Sequence, residues 1–95
     1  MPPDNSHFPC PCCGYLMCSE GTHDTYEICR ICFWEDDPVQ FDKPDYEGGA
    51  NRPSLRQAQS NFAAFGACER EATRHARTPG ANDCRASTWK PLPPR

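Results

Sequence analysis

Two Cys-x-x-Cys pairs constrain this chain more than any other feature of its sequence. The first pair spans residues 10–13 (CPCC) and the second spans residues 29–32 (CRIC), with fifteen residues between Cys13 and Cys29. This separation lies within the C-x2-C-x15–20-C-x2-C pattern of four-cysteine zinc sites. A two-residue spacer lets both sulfurs of one tight turn, here called a knuckle, converge on a metal ion at about 2.3 Å. The sequence therefore predicts one Zn²⁺ per chain, with the ligands Cys10, Cys13, Cys29 and Cys32.

Cys12 leaves the ligand set of the first knuckle open to a second interpretation. Cys10 and Cys12 together would form a narrower chelate, and Cys12 could replace Cys13 in a transient state, so Cys12 is an alternate candidate ligand. Gly14 favours the Cys10/Cys13 pair, because glycine readily takes the positive φ with which the chain leaves such a turn.

The chain is too short and too polar to be stabilised by a large apolar core. It has 95 residues, of which 37% are hydrophobic and eleven are prolines. Small polar domains of this kind usually need a metal or disulfides. The N-terminus lacks a secretory signal and no apolar run approaches the roughly 20 residues of a membrane helix, so we expect a cytoplasmic protein without a membrane span. Since the cytosol is reducing, its eight cysteines favour metal binding over disulfides.

The segment between the knuckles predicts a β-hairpin. Residues 15–18 are a short apolar run suited to a strand, residues 19–24 are turn formers, and residues 25–28 alternate as a returning strand would. A hairpin that joins two knuckles is a zinc-ribbon-like arrangement. The zinc-ribbon domain is predicted over residues 10–68, after a flexible lead-in at residues 1–9.

One packed α-helix is predicted at about residues 54–65. Ser54 is a good N-cap, Gln57 stands at the capping-box position, and Gly66 suits the end of the helix. The fold class is therefore small α+β. Residues 69–95 show no apolar face and predict a polar, irregular arm, which is either extended and anchored by aromatic and aliphatic residues or partly disordered.

Phe33 and Trp34 directly follow the second knuckle and are predicted to cover the metal site and exclude water. The alternative is an exposed platform on which nucleic-acid bases stack. The acidic run at residues 35–38 is predicted to be a solvated turn, because no nearby histidine, serine or lysine completes a catalytic set. We therefore expect no enzymatic activity.

The charge of the chain is divided between its halves. Residues 1–50 carry ten acidic and two basic residues, for a net charge of −8, whereas residues 51–95 carry eight basic and three acidic residues, for +5. The two halves could pack with complementary charge, or a basic protein partner could dock on the acidic half. A strongly acidic ribbon repels phosphate, which disfavours nucleic acid as a partner.

Several runs of this sequence are specific enough to carry a resemblance. They are CPCCGY (10–15), YEIC (26–29), CFWEDDPVQ (32–40), GGAN (48–51), SL (54–55), NF (61–62) and FGAC (65–68). In these runs the chain resembles the cysteine-rich CPCC domain family of small, mostly bacterial proteins. WKPL (89–92) also looks like the ending of that family, while residues 69–88 fit it less clearly. The resemblance implies a metal-binding module and implies no established activity.

Three functions are compatible with this sequence, and we favour the first. A closed four-thiolate site leaves no open position for water or substrate, which favours a structural zinc module that acts through protein–protein interaction. The alternatives are a nucleic-acid-binding zinc ribbon and a thiol redox or rubredoxin-like iron protein. A thioredoxin-type reactive thiol would need a helix after Cys13 to lower its pKa, and the sequence predicts a strand there.

Overall fold

The fold contains few regular elements, and all but one of them are short. The computed structural model describes residues 7–19, 21 and 24–93. Its elements are β1 (Phe8–Pro9), β2 (Leu16–Cys18), α1 (Pro38–Asp42), α2 (Leu55–Phe65) and a 3₁₀ helix (Arg70–Arg74). No helix in these described ranges is long and apolar enough to cross a membrane. The predicted combination of a small antiparallel pair with one main helix is confirmed.

Cysteine side chains make up much of the core. Seven of the eight cysteines are buried, and Cys84 is exposed. The other buried apolar residues are few: Ile31, Trp34, Leu55, Ala58, Ala67 and Ala72. With so little aliphatic and aromatic surface removed from water, a chain of this size needs an additional source of folding free energy.

The strand pairing differs from the predicted hairpin between the knuckles. β2 pairs antiparallel with β1, so that the end of the predicted lead-in is a strand. The predicted partner strand at residues 25–28 folds back across the second knuckle instead, where Ile28 bridges to Glu35. The pairing of residues 15–18 with 25–28 was therefore wrong for the described residues. A knuckle reverses the chain within a few residues, and the shorter loop costs less closure entropy.

Helix α2 begins and ends where the sequence predicts. The Ser54 hydroxyl accepts from the Gln57 backbone N–H at 3.1 Å, and Gly66 closes the helix with φ 81° while its N–H donates to the Phe62 carbonyl. The Gln57 side chain donates to Asn61 rather than returning to the cap. α2 buries Leu55 and packs its apolar side towards the cysteines.

The acidic run after the second knuckle is not the solvated turn that the sequence predicts. Asp37 is 7% exposed, and its carboxylate caps α1 by accepting from the Val39 N–H while it also accepts from the Ala50 N–H, both at 2.8 Å. Gln40 is fully buried and hydrogen-bonds Asn51 through both its amide oxygen and its amide nitrogen. These buried polar groups satisfy one another and fix the loop that leads to α2.

The C-terminal arm is extended and docked on the first knuckle. Leu16 N–H donates to the Cys84 carbonyl at 2.9 Å, and Ala86 N–H donates to the Gly14 carbonyl at 2.9 Å. The Trp89 indole N–H donates to the Pro11 carbonyl at 3.1 Å. Before these docked residues, the described part of the segment contains the 3₁₀ helix Arg70–Arg74.

Replacing Gly14 by Ala should destabilise the protein and undock the arm. A Cβ at Gly14 would lie under 3.0 Å from three atoms of the Trp89 ring, and φ is +80°. The φ penalty of about 1–2 kcal/mol adds to an overpacking cost of about 1–3 kcal/mol. Thermal unfolding and tryptophan fluorescence of the metal-saturated protein measure both effects.

The matched control is Gly48→Ala, because Gly48 has φ +82° with nothing within 4 Å of the new Cβ. This variant should show the φ penalty alone, without a change in the environment of Trp89. Equal losses of stability in the two variants would contradict the close packing of the arm on the first knuckle.

Candidate metal centre

Four sulfur atoms converge in the interior between the two knuckles. The Sγ atoms of the four predicted ligands all lie within 4.8 Å of one another, and all four residues are buried. The Cys10–Cys32 pair is 3.6 Å apart and the Cys13–Cys29 pair 3.7 Å apart. Sulfurs placed at about 2.3 Å from a tetrahedral metal ion would be about 3.8 Å apart. The four cysteines therefore lie at distances that suit a bound metal ion, and all eight cysteines are free thiols.

The two knuckles have the same backbone geometry. The N–H of Gly14 donates to the Cys10 carbonyl and the N–H of Phe33 donates to the Cys29 carbonyl, each at 2.8 Å. The N–H of each leading cysteine also donates to the carbonyl five residues on, at 2.8 and 2.9 Å. Gly14 and Phe33 both have positive φ, at 80° and 70°. The two Cys-x-x-Cys segments thus form the same type of turn.

The cysteines of this cluster differ in how readily they become thiolates. The pKa of the Cys29 thiol is held well below its usual value by hydrogen bonds from Cys10, Cys13 and Cys32. Burial raises the pKa of both the Cys10 and Cys32 thiols well above their usual value. Four thiolates in this buried space would repel one another strongly. A soft divalent cation would compensate that charge, and four thiolates are a donor set that suits zinc or iron.

Backbone groups and a cation complete the surroundings of the cluster. The Ile31 N–H points at the Cys29 sulfur at 3.4 Å, which is the type of contact that orients and tunes a metal-bound thiolate. The Cys68 N–H donates to the Cys32 carbonyl at 2.9 Å, and the Arg85 side chain donates to the Cys13 carbonyl at 2.8 Å. Both partners come from the segment after α2, so this segment holds both knuckles in place.

Arg85 was missed by the sequence analysis, which only counted it among the eight basic residues of the second half. Its guanidinium lies 5.2 Å from the ring centroid of Tyr15, 5.8 Å from that of Phe62 and 5.1 Å from that of Trp89. These are cation–π distances. The local sequence does not distinguish Arg85 from the other arginines, since two of its three aromatic partners, Tyr15 and Phe62, are distant along the chain.

The two residues predicted to cover the site lie in different environments. Trp34 is 1% exposed and belongs to the core, whereas Phe33 is 36% exposed. The Phe33 ring stacks on the His75 ring with centroids 4.8 Å apart. The burial expected of a cover is therefore found for Trp34, and Phe33 presents part of its ring at the surface.

The remaining cysteines lie outside the four-sulfur cluster. Cys12 is buried, burial raises the pKa of its thiol, and the thiol lies beside Cys32. Burial also raises the pKa of Cys18 and of Cys68 to about 12. Thiols with such pKa values stay protonated at neutral pH and are poor nucleophiles. Cys18 and Cys68 thus serve as buried apolar groups.

One protein-family model matches this chain. It is described as "Cysteine-rich CPCC" and matches residues 8–83, which include both knuckles, α2 and the 3₁₀ helix. The match extends past residue 68, where the sequence analysis placed the end of the domain. No curated protein matches the chain.

Replacing Cys29 by Ser should abolish metal binding and unfold the protein. Cys29 is in contact with the other sulfurs, and the binding free energy of a structural zinc ion, about 10–16 kcal/mol, is largely folding free energy. Native mass spectrometry gives the metal stoichiometry, and circular dichroism gives the folded fraction. Cys84→Ser is the control and should leave both unchanged, since Cys84 is exposed.

A second pair of variants tests the assignment of ligands in the first knuckle. Cys12→Ala should keep one metal ion per chain, whereas Cys13→Ala should lose it, because Cys13 and not Cys12 belongs to the four-sulfur cluster. The opposite result would make Cys12 the ligand. A folded, metal-bound Cys29→Ser variant would overturn the whole ligand set.

Proposed function

Because the chain belongs to the cysteine-rich CPCC family and gathers four thiols in one buried cluster, we propose that it is a structural zinc module that acts by binding another protein. The single observation that carries the zinc part of the proposal is the convergence of four buried sulfurs, two pairs of which lie at the spacing of a tetrahedral site. In this proposal Cys10, Cys13, Cys29 and Cys32 bind one Zn²⁺. The two knuckles, each closed by its own antiparallel pairing, are then a compact variant of the zinc ribbon.

The burial of the cluster supports a structural rather than a catalytic metal. Catalytic zinc sites have three protein ligands and an open fourth position for water or substrate, whereas structural sites are closed by four. Here all four sulfurs are in the interior. The metal would supply folding free energy to a chain whose aliphatic core is small. Eight cysteines without a disulfide among them suit a reducing compartment, which favours the cytoplasm.

The arrangement of charges supports a protein partner over a nucleic acid. Several arginines of the basic half are engaged within the chain: Arg52 with Glu71, Arg56 with Asp45, Arg77 with Asp83, Arg70 over the Phe65 ring, and Arg85 over three aromatic rings. Neutralised or stacked arginines contribute little to phosphate binding. Arg52 and Arg77 pair with acidic residues of the basic half, residues 51–95. The acidic half, residues 1–50, therefore keeps most of its negative charge, which would attract a basic partner.

Metal analysis of protein purified without added metal tests the zinc assignment. We expect one zinc ion per chain, a colourless protein, and loss of cooperative unfolding when a strong chelator removes the ion. Re-addition of Zn²⁺ should restore the fold. A coloured protein with one iron ion per chain would contradict the assignment and favour the rubredoxin-like alternative.

Affinity capture from the native host tests the interaction. The zinc-loaded wild type should retain a protein that the metal-free Cys29→Ser variant does not retain. Titration with DNA and RNA at low salt should show no binding, because the acidic half repels phosphate. Recovery of no protein partner, or salt-dependent nucleic-acid binding, would contradict the proposed function.

A further inference from the structure

We propose that a groove beside the second knuckle binds a basic peptide segment of the partner protein, with Phe33 as its main apolar contact. This inference rests on the proposed function and adds to it the surface and the chemistry of the ligand. The groove has a volume of about 200 Å³ and is lined in part by Ile28, Phe33, Glu35, Asn51, Arg52 and Glu69.

Phe33 occupies a backbone position that costs free energy. Its φ of 70° lies in the left-handed region, and the equivalent position of the first knuckle is Gly14, with φ 80°. A residue with a Cβ is less stable in this region than glycine, because its Cβ lies too close to the following carbonyl oxygen. Strained backbone positions of this kind cluster at functional sites, where the side chain takes part in binding or catalysis.

The Phe33 ring is only partly buried, so its packing within the chain offsets little of the strain at this position. The ring is 36% exposed and stacks on His75, whereas Trp34 beside it is buried in the core. Ile28, which lines the same groove, is 49% exposed. Two large apolar side chains therefore flank one groove at the surface and provide the apolar part of a binding site.

The floor of the groove is held rigidly. Asn51 lies in the groove and is only 7% exposed. Its side-chain amide donates to the Glu35 carbonyl at 2.7 Å and to the amide oxygen of Gln40 at 3.0 Å, and its own amide oxygen accepts from the Glu35 N–H. A surface that is fixed before binding loses little conformational entropy when a ligand docks.

The charge at the groove selects a basic ligand. Glu35 and Glu69 line it, and the guanidinium of Arg52 is shared between Glu71 at 2.8 Å and Glu69 at 3.7 Å. Two carboxylates thus share one cation, and Glu35 adds a further carboxylate to the lining of the groove. The groove holds only one or two side chains, which fits a peptide segment rather than a folded domain. A lysine or arginine next to an aliphatic side chain would satisfy both the carboxylates and the apolar walls.

Phe33→Gly separates binding from folding. Glycine accepts the positive φ without strain, so the variant should bind one metal ion and unfold at the same or a higher temperature than the wild type. A random peptide library displayed on phage is the probe, selected on the zinc-loaded wild type. Enriched peptides should combine basic and aliphatic residues, and their synthetic versions should bind Phe33→Gly at least about tenfold more weakly.

Two further variants sharpen the result. Glu35→Gln keeps the shape of the groove and should weaken binding while reducing its salt dependence. Val39→Ser removes an apolar side chain of similar exposure, 47%, which does not line the groove, and should bind the peptides as the wild type does.

Several outcomes would overturn the groove assignment. These are the enrichment of acidic peptides, no enrichment, equal binding to the wild type and Phe33→Gly, or loss of metal from Phe33→Gly, which would make Phe33 a structural cover. A host protein that is captured equally well by the wild type and by Phe33→Gly would reject the groove and leave the proposed function standing. Enriched basic peptides together with no captured host protein would reject the proposed function alone.

Discussion

The repulsion that four thiolates would exert on one another in one water-excluded space is the constraint on which this structure depends. Two pairs of their sulfurs lie 3.6 and 3.7 Å apart, close to the edge length of a tetrahedral four-sulfur site, and hydrogen bonds from the neighbouring cysteines lower the pKa of Cys29. Each further thiolate in this space would add to the repulsion. The elements near the cluster hold the four cysteines together. They are the two turns, helix α2, which packs on them, and the segment after α2, which hydrogen-bonds carbonyls of both turns.

The two knuckles share one backbone turn and differ in what packs on it. At the first, Gly14 lets the Trp89 ring approach the backbone directly, and Arg85 lies among the nearby aromatic rings. At the second, Phe33 carries a side chain where the geometry favours glycine, and its ring faces the surface. One knuckle is covered by the chain itself, and the other presents a mixed apolar and acidic surface. A repeated turn thus yields two faces with different chemistry.

Local patterns in the sequence were sufficient to predict the four-sulfur cluster and the main helix. Cys-x-x-Cys spacing determines a turn within a few residues, and Ser54 and Gly66 specify the ends of α2 through their own backbone and side-chain hydrogen bonds. Both predictions succeed because the interactions that decide them are short in sequence.

Features that depend on contacts distant along the chain could not be predicted in this way. An alternating segment shows that a strand is favoured but not which strand it pairs with, so the partner of β2 was assigned wrongly. Asp37 seemed solvated because its partner Ala50 is thirteen residues away, and Arg85 contacts residues of the first knuckle more than seventy positions earlier. The role of such residues follows from where the fold places their partners.

Both ends of the described chain meet at the first knuckle. β1 leads into it from one side, and residues 84–89 return to it from the other, so that the same turn contacts the chain near both ends of the described part. Neither segment can fray without losing contacts to the region of the four-sulfur cluster. The described domain should therefore open in one cooperative step that includes the first knuckle, and the force needed to pull residues 8 and 89 apart would be set largely by that knuckle.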